Sequence, residues 1–317
     1  MNVSPIGFGA WAIGGTWGAV NGETSLQALR RAVERGIDFF DTADVYGDGH
    51  SEQLLGRLRR ETSTPIFIAT KVGRRRNMYD KRDYDKASLS AFLERSLSNL
   101  GTDAIDLVQL HCPPTDVYYM PEVFGALDEL VAEGKIKFYG VSVERVEEGL
   151  KAIEYPGVQS VQIVFNAFRQ RPAELLFDRA QQKDVAIIAR LPLGSGMLTG
   201  KMSSNTTFAA DDHRSFNRDG KAFDKGETLS GVDFGVSLSA IEELRPLVPN
   251  GATMAQLALR WILMHEAVTV AIPGAKSATQ VDDNVGACEM APLSTETMRK
   301  IRNVYDSKIR ALVHQRW

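Results

Sequence analysis

Residues 185–191 read VAIIARL, and this run shows the pattern that decides the fold. It is apolar at every position except Arg190, whereas a strand with one face in water would alternate apolar and polar residues. Runs of the same kind recur along the chain at 5-PIGFGAW, 37-IDFFDTA, 66-IFIATKV, 105-IDLVQLH, 138-FYGVSV, 160-SVQIVFN and 268-VTVAIPG, the first being the weakest. Together these runs predict eight strands that are buried on both faces.

Amphipathic stretches separate the apolar runs. In 25-SLQALRRAVERG, 88-SLSAFLERSLSNLG and 121-PEVFGALDELVAEGK, apolar residues recur on one helical face and a glycine lies at or near the end. Further helices are expected at 144–153, 173–183, 253–265, 277–288 and 295–314. Alternating strands and helices predict a parallel sheet, which is either a closed barrel or a doubly wound open sheet.

Two observations favour the closed barrel. No GxGxxG follows the first strand, so the fingerprint of the open dinucleotide-binding sheet is missing. Polar residues also fall at the carboxyl ends of successive strands, as in barrel enzymes. We therefore expect an α/β fold, a single-domain (β/α)₈ TIM barrel over residues 1–317, with a C-terminal helix at 295–314. The polar segment 203–250 is expected to be a loop insertion between strands seven and eight, either a lid or a disordered surface insertion.

Composition excludes several classes of protein. The 317 residues are 44% hydrophobic and 24% charged, with a net charge of -3 and no basic stripe, which argues against nucleic acid as a partner. Two cysteines, Cys112 and Cys288, are too few for a disulfide framework or a metal site. The N-terminal MNVSPIGFGAWAIGG does not resemble a signal peptide, and no run of about 18 apolar residues indicates a membrane span. We expect a cytoplasmic monomer or weak homo-oligomer.

Four polar residues mark the ends of consecutive strands. Asp41 ends strand two, Tyr46 follows five residues later, Lys71 ends strand three and His111 ends strand four. Barrel geometry brings neighbouring strand ends together. An ammonium favours the charged form of a nearby phenol, a carboxylate keeps the ammonium charged, and an imidazole can donate to a carbonyl oxygen. The set is suited to protonating an oxygen that gains negative charge, although each residue alone is as compatible with a structural role.

The motifs DTADVYG, ATKVG, DLVQLH, GVSV, VQIVFN, RLPLGSGMLTGK and AIPGAKSATQVDDN resemble the aldo-keto reductase superfamily, in its order, from about residue 5 to residue 290. The likeness is greatest to bacterial branches that share features with potassium-channel β-subunits. The resemblance implies a catalytic tetrad of Asp41, Tyr46, Lys71 and His111. It also implies reduction of an aldehyde or ketone with NADPH, with NADH as the second candidate.

The resemblance assigns the cofactor site to strand ends and to the loops after strands one, seven and eight. The residues so implied are Ala10, Trp11, Asp41, Ser142, Gln162, Arg190, Leu191, Leu193, Gly194, Gly196, Lys201, Gly274, Lys276, Ser277, Gln280, Asp283 and Asn284. Asn166 is a further candidate beside Gln162. Three positions depart from the family pattern, since Val143 often is Asn, Arg190 often is aromatic, and Gln280 is Arg in mammalian relatives.

The substrate wall is expected to include Trp11 and Trp17, together with Tyr46 and His111, because aromatic side chains suit an apolar carbonyl compound. Trp17 could equally anchor a loop, and Cys112 is interpreted as a packing residue. Two other functions stay open at this stage. The first is a nicotinamide-binding regulatory subunit with weak catalysis, and the second is a barrel lyase or isomerase that acts on a phosphorylated substrate.

Overall fold

The computed structural model describes residues 2–14, 22–75, 80–210, 212–218, 220 and 231–316. Within these ranges, the chain forms one sheet of eight parallel strands in which each strand pairs with the next. The strands are β1 Phe8–Gly9, β2 Phe39–Asp41, β3 Phe67–Val72, β4 Ile105–His111, β5 Ile136–Ser142, β6 Val158–Val164, β7 Ala186–Arg190 and β8 Val268–Ala271. Parallel bridges from Ile6 to Ala271 and from Gly9 to Gly274 join the two edges. The predicted (β/α)₈ barrel is confirmed.

Helices surround the barrel, as expected where parallel strands need crossover connections. In the described residues they are α1 Gly22–Glu34, α2 His50–Glu61, α3 Lys86–Leu100, α4 Pro121–Ala132, α5 Val146–Ala152, α6 Pro172–Gln182, α7 His213–Phe216, α8 Phe234–Leu244, α9 Met254–Leu263, α10 Ala278–Glu289, α11 Thr295–Val304 and α12 Arg310–Val313. None of them is long and apolar enough to cross a membrane.

Local sequence explains where several helices begin and end. The Asp85 carboxylate accepts from the Ser88 backbone N–H at the start of α3, and Thr253 and Gln256 form a capping box at the start of α9. Gly101 ends α3 with a positive φ of 62°, a conformation that glycine adopts at little cost. These caps satisfy backbone groups that the helix itself leaves without partners.

The barrel interior is apolar at its floor and polar above it. Phe39, Ala69, Leu107, Ile188 and Val270 form a small buried cluster, to which Ile272 also belongs. Because side chains two positions apart on a strand face the same side, residues two positions further on also face inward. Those residues are Asp41 on β2, Lys71 on β3 and Gln109 on β4. The strand period therefore stacks a polar layer directly on an apolar one.

Two helices depart from the sequence-based expectations. Helix α2 was not predicted, because HSEQLLGRLRRE is dominated by polar residues, yet Leu54, Leu55 and Leu58 are buried on one face. Helix α8 lies inside segment 203–250, which was predicted as a loop insertion, and its Ala240, Ile241 and Leu244 are buried. The loop prediction is wrong for Phe234–Leu244, since an apolar helical stripe there packs against α11 and against the turn after β7.

The C-terminal helix predicted at 295–314 is divided in the structure. A π-helical turn at Tyr305–Ile309 lies between α11 and α12. Glu174 of α6 anchors this end, since its carboxylate pairs with Arg302 at 2.5 Å and with Arg310 at 2.7 Å. The Nε2 atom of His314 lies 3.0 Å from the same carboxylate. Charged contacts therefore hold the last helices against the outside of the barrel.

Candidate active site

The carboxyl ends of the strands open into a cavity of about 620 Å³. Most residues that the sequence assigned to a site line it, namely Trp11, Asp41, Tyr46, His111, Ser142, Gln162, Arg190, Leu191, Leu193, Gly196, Lys201, Gly274, Lys276, Gln280, Asp283 and Asn284. Ala10, Lys71, Gly194 and Ser277 are not among its lining residues, and Trp17 lies outside the described residues. One cavity thus brings together residues from both ends of the chain.

Lys71 lies below the cavity and is the centre of the polar layer. Its Nζ atom donates to Asp41 Oδ1 at 2.5 Å, to the Thr42 carbonyl at 2.8 Å and to the Tyr46 hydroxyl at 3.4 Å. The Lys71 side chain is 1% exposed. Since an ammonium has three N–H donors, these three acceptors match its full donor capacity. The geometry joins the carboxylate, the ammonium and the phenol in one hydrogen-bonded chain.

The charge on Lys71 is maintained by its neighbours. Burial lowers the pKa of Lys71, but the charges of Asp41 and Tyr46 and their hydrogen bonds outweigh burial and raise it above the usual value. A buried ammonium without such partners would tend to lose its proton. The Lys71 ammonium lies 3.4 Å from the phenol oxygen, where a positive charge stabilises negative charge.

His111 completes the predicted tetrad at the cavity wall. Its ring meets the Tyr46 ring edge-on, with centroids 5.9 Å apart and an interplanar angle of 83°. Burial, and after it the charges of Arg74, Lys71 and Arg190, lower the pKa of His111 well below its usual value. Its buried Nδ1 has no hydrogen-bond partner in the described part of the chain. His111 is thus a neutral imidazole with hydrogen-bonding capacity available to a ligand.

Three polar side chains connect the tetrad to the middle of the cavity. Gln162 Nε2 donates to Asp41 Oδ2 at 2.7 Å and to Gln109 Oε1 at 3.3 Å, and Ser142 Oγ donates to Gln162 Oε1 at 3.3 Å. Ser142 and Gln162 both line the cavity, and the same hydrogen-bond network orients their side chains. Gln109 was missed, although its position two residues before His111 on β4 was the available signal.

The loop after β7 forms the next part of the cavity wall. Four of its residues have positive φ angles, namely Leu191 at 50°, Gly194 at 53°, Ser195 at 54° and Gly196 at 94°. Successive left-handed residues turn backbone N–H groups toward one side of a loop, an arrangement that suits an anion. Leu191 and Ser195 adopt this conformation at a steric cost that glycine avoids. The strained turn is therefore a feature that the surrounding packing must maintain.

Two cationic side chains, Lys276 and Arg214, lie near the loop after β8. The backbone N–H of Lys276 donates to Gln280 Oε1 at 2.6 Å, and Ser277 caps the start of α10. Burial and then the charge of Arg214 lower the pKa of Lys276. Arg214 lines the cavity too, and Asp212 orients it through hydrogen bonds of 2.9 and 2.6 Å. Arg214 was not predicted from the sequence, because it lies in segment 203–250, far from Lys276 along the chain.

Described residues of segment 203–250 form part of the cavity wall. Phe208, His213 and Phe216 line the cavity, and the His213 ring lies 4.6 Å from the Trp11 ring between centroids. Trp11 in turn is stacked at 6.1 Å with Tyr46. The contact joins described residues of the segment to the β1 end of the cavity wall. Around the cavity, no three His, Cys, Asp or Glu side chains of the described ranges are grouped to hold a metal.

Asp44 has an unusual environment on the loop that carries Tyr46. Its side chain is fully buried, and neither carboxylate oxygen has a hydrogen-bond partner in the described ranges. Burial, followed by the charge of Glu52, raises the pKa of Asp44 to about 7. Since the folded state holds this proton more tightly than the unfolded chain, the group stabilises the fold most below about pH 4. That contribution declines as the pH rises towards about 7.

We expect Asp44→Asn to be more stable than the wild type above neutral pH, by about 1–3 kcal/mol, because the amide cannot ionise in the buried site. Urea unfolding at about pH 5 and about pH 8 would measure this, and the gain should be present mainly at the higher pH. Asp48→Asn is the control on the same loop, because Arg75 and Arg95 lower the pKa of Asp48. Equal destabilisation of Asp44→Asn at both pH values would contradict the assignment.

Comparisons with known proteins show which family the chain belongs to. Residues 5–306 match the aldo/keto reductase family. The aldo-keto reductase YhdN of Bacillus subtilis (strain 168) is 33% identical over 288 residues, which cover 89% of this chain and 84% of that protein. A glycerol dehydrogenase structure from Gluconobacter oxydans is 30% identical, with a TM-score of 0.80 and coverage of 97% and 93%. An aldo-keto reductase from Klebsiella pneumoniae in complex with NADPH is 25% identical, with a TM-score of 0.70 and coverage of 96% and 91%. The chain belongs to the aldo/keto reductase family.

Proposed function

We propose that this protein reduces an aldehyde or ketone to an alcohol with NADPH, and that Tyr46 supplies the proton. The observation that carries the proposal is the chain of contacts from Asp41 through Lys71 to the Tyr46 hydroxyl, at 2.5 and 3.4 Å. A phenol is a weak acid near neutral pH, so a fixed positive charge beside it is what makes proton donation favourable. Lys71 provides that charge, and Asp41 keeps it in place.

The chain's own groups then account for the proton transfer. A carbonyl oxygen placed between Tyr46 and His111 would receive the proton from the Tyr46 hydroxyl. His111, held neutral by burial and by nearby cations, would donate a hydrogen bond to the same oxygen. The negative charge left on Tyr46 would be stabilised by Lys71 until the phenol is protonated again from solvent.

The cavity fits an extended dinucleotide. Ser142 and Gln162 would hold a nicotinamide amide, the turn at Gly194–Gly196 would face the pyrophosphate, and Arg214 with Lys276 would pair with a 2′-phosphate. When bound, NADPH would supply the hydride for the carbonyl carbon. Two adjacent cations favour NADPH over NADH, because NADH lacks the 2′-phosphate that would neutralise them. The complex of the Klebsiella pneumoniae relative with NADPH supports the same choice.

The compartment is part of the proposal. Both cysteines are free, with Cys112 buried and Cys288 half-buried, which supports a reducing, cytoplasmic environment.

A panel of aldehydes and ketones, followed by the loss of NADPH absorbance, tests the proposal. We expect turnover of several carbonyl compounds with NADPH and weaker turnover with NADH in parallel reactions. Quenching of tryptophan fluorescence would measure cofactor binding independently. Binding of NADPH without turnover of any compound would favour a regulatory subunit, whereas failure to bind either cofactor would favour a lyase or isomerase.

A further inference from the structure

Positively charged side chains outnumber negatively charged ones along the cavity wall. Among the described residues that line it, the acids are Asp41 and Asp283, and the cations are Arg74, Arg190, Lys201, Arg214 and Lys276. Asp41 is paired with Lys71, and Asp283 accepts a hydrogen bond from Thr253 at 2.9 Å. The family resemblance assigns Arg190, Lys201 and Lys276 to the cofactor site, and Arg214 is proposed to pair with the 2′-phosphate. Among the described residues, Arg74 is the lining cation to which neither assigns a ligand. The position of Arg74 therefore needs its own explanation.

Arg74 lies beside the tetrad. It is three residues after Lys71, and its Nε donates to the His111 carbonyl at 3.1 Å. A terminal nitrogen lies 3.3 Å from Glu144 Oε1, and the Arg74 side chain is 12% exposed. Glu144 is not among the cavity-lining residues. Glu144 thus orients the guanidinium from outside the cavity, while Arg74 itself is part of the cavity lining.

We propose that Arg74 is a specificity-determining residue that binds an anionic group, a carboxylate or a phosphate monoester, on the carbonyl substrate. The inference rests on the proposed carbonyl reduction. A carboxylate or phosphate that enters this cavity loses water, and a nearby cation must compensate. Lys71 already donates to three acceptors, and Arg190 donates to the Val143 carbonyl at 3.1 Å. Arg74 is a cation at the catalytic end whose guanidinium fork can donate to two oxygens of a planar carboxylate or of a tetrahedral phosphate.

Neutral substrates are compatible with the same site. Without an anionic ligand, Glu144 and the His111 carbonyl still stabilise the guanidinium. Arg74 therefore raises the affinity for anionic substrates and does not block neutral ones. The preference is the difference between the two affinities. A charge-assisted hydrogen bond that forms with the anionic substrate alone corresponds to a preference of roughly tenfold to a hundredfold in kcat/KM.

The test compares matched substrates that differ in charge. Succinic semialdehyde is paired with butanal, and glyceraldehyde 3-phosphate is paired with glyceraldehyde, so that the two pairs separate carboxylate from phosphate. We expect the wild type to prefer the charged member of at least one pair by about tenfold or more, and Arg74→Gln to abolish that ratio. Arg74→Lys should restore part of the ratio, since it keeps the charge but loses the planar fork.

The matched control is Arg171→Gln, because Arg171 also pairs with a glutamate, Glu147, but does not line the cavity. In Arg171→Gln, the ratio of kcat/KM between the charged and the neutral substrate of each pair should equal that of the wild type. A wild type that shows no charge preference in either pair would overturn the inference, and so would an Arg74→Gln variant that keeps the preference.

A binding measurement separates this inference from the proposed function. Calorimetry on the NADP⁺-loaded protein would compare butanoate with butanamide, which have similar shape and differ in charge. We expect tighter binding of butanoate to the wild type and loss of that difference in Arg74→Gln. This binding measurement needs no turnover, so it tests the anion site even if the protein reduces no carbonyl compound. Equal affinity for the two probes in the wild type would refute the anion site while leaving carbonyl reduction intact.

Discussion

Replacement of Tyr46 by phenylalanine is expected to lower kcat by about 10²–10⁴-fold, because it removes only the hydroxyl that donates the proton. The ring contacts of Tyr46 with Trp11 and His111 do not require that hydroxyl, so NADPH affinity should stay within about twofold. Initial rates of NADPH oxidation and fluorescence titration with NADPH would measure the two quantities separately.

The control for this substitution is Tyr119→Phe, since Tyr119 is 65% exposed and does not line the cavity. It should leave both quantities unchanged. Wild-type kcat in Tyr46→Phe would mean that another group donates the proton, and the role of Lys71 would then need a different explanation.

The second large effect is expected at Lys71. Lys71→Met removes a buried charge and leaves the Asp41 carboxylate without its ion pair, with hydrogen bonds from Gln109 and Gln162 remaining. We expect a loss of about 3 kcal/mol in the free energy of unfolding, together with a large loss of kcat. Urea unfolding and NADPH oxidation would measure the two effects.

The double variant Asp41→Asn with Lys71→Met separates stability from catalysis. Because it removes the orphaned charge, it should regain most of the stability that Lys71→Met loses. Catalysis should not return, since no ammonium is left beside Tyr46. Recovery of both properties would show that Lys71 acts only as a structural partner of Asp41. Failure to regain stability would show that the ion pair is not the source of the loss.

The barrel was predictable because its evidence is local. A strand buried on both faces must be apolar over several consecutive residues, as 185-VAIIARL is, and that demand is visible without knowing its neighbours. The polar strand ends were visible for the same reason, since Asp41, Lys71 and His111 each follow such a run. Parallel barrels bring those ends to one face, so a linear pattern was enough to predict a cluster.

Other features depend on residues that are distant in the chain. Helix α2 and helix α8 have weak local signals, and each is stabilised by a buried apolar face, α2 against α1 and α3 and α8 against α11. Arg214 lies near Lys276 because described residues of segment 203–250 line the same cavity. Arg74 acquires its position from the His111 carbonyl and from Glu144, 70 residues further on. No pattern within one segment could predict these contacts.

The sequence by itself determined the eight strands, the family and the four residues proposed as a tetrad, because burial and strand ends are recorded in consecutive residues. Only the tertiary structure decided the charges of those residues and the shape of the cavity. Asp44 shows why, since it lies in the same DTADVYG motif as Tyr46, yet its pKa of about 7 comes from burial and from Glu52. Electrostatic environment depends on distances through space, and the chain fixes those distances only when it folds.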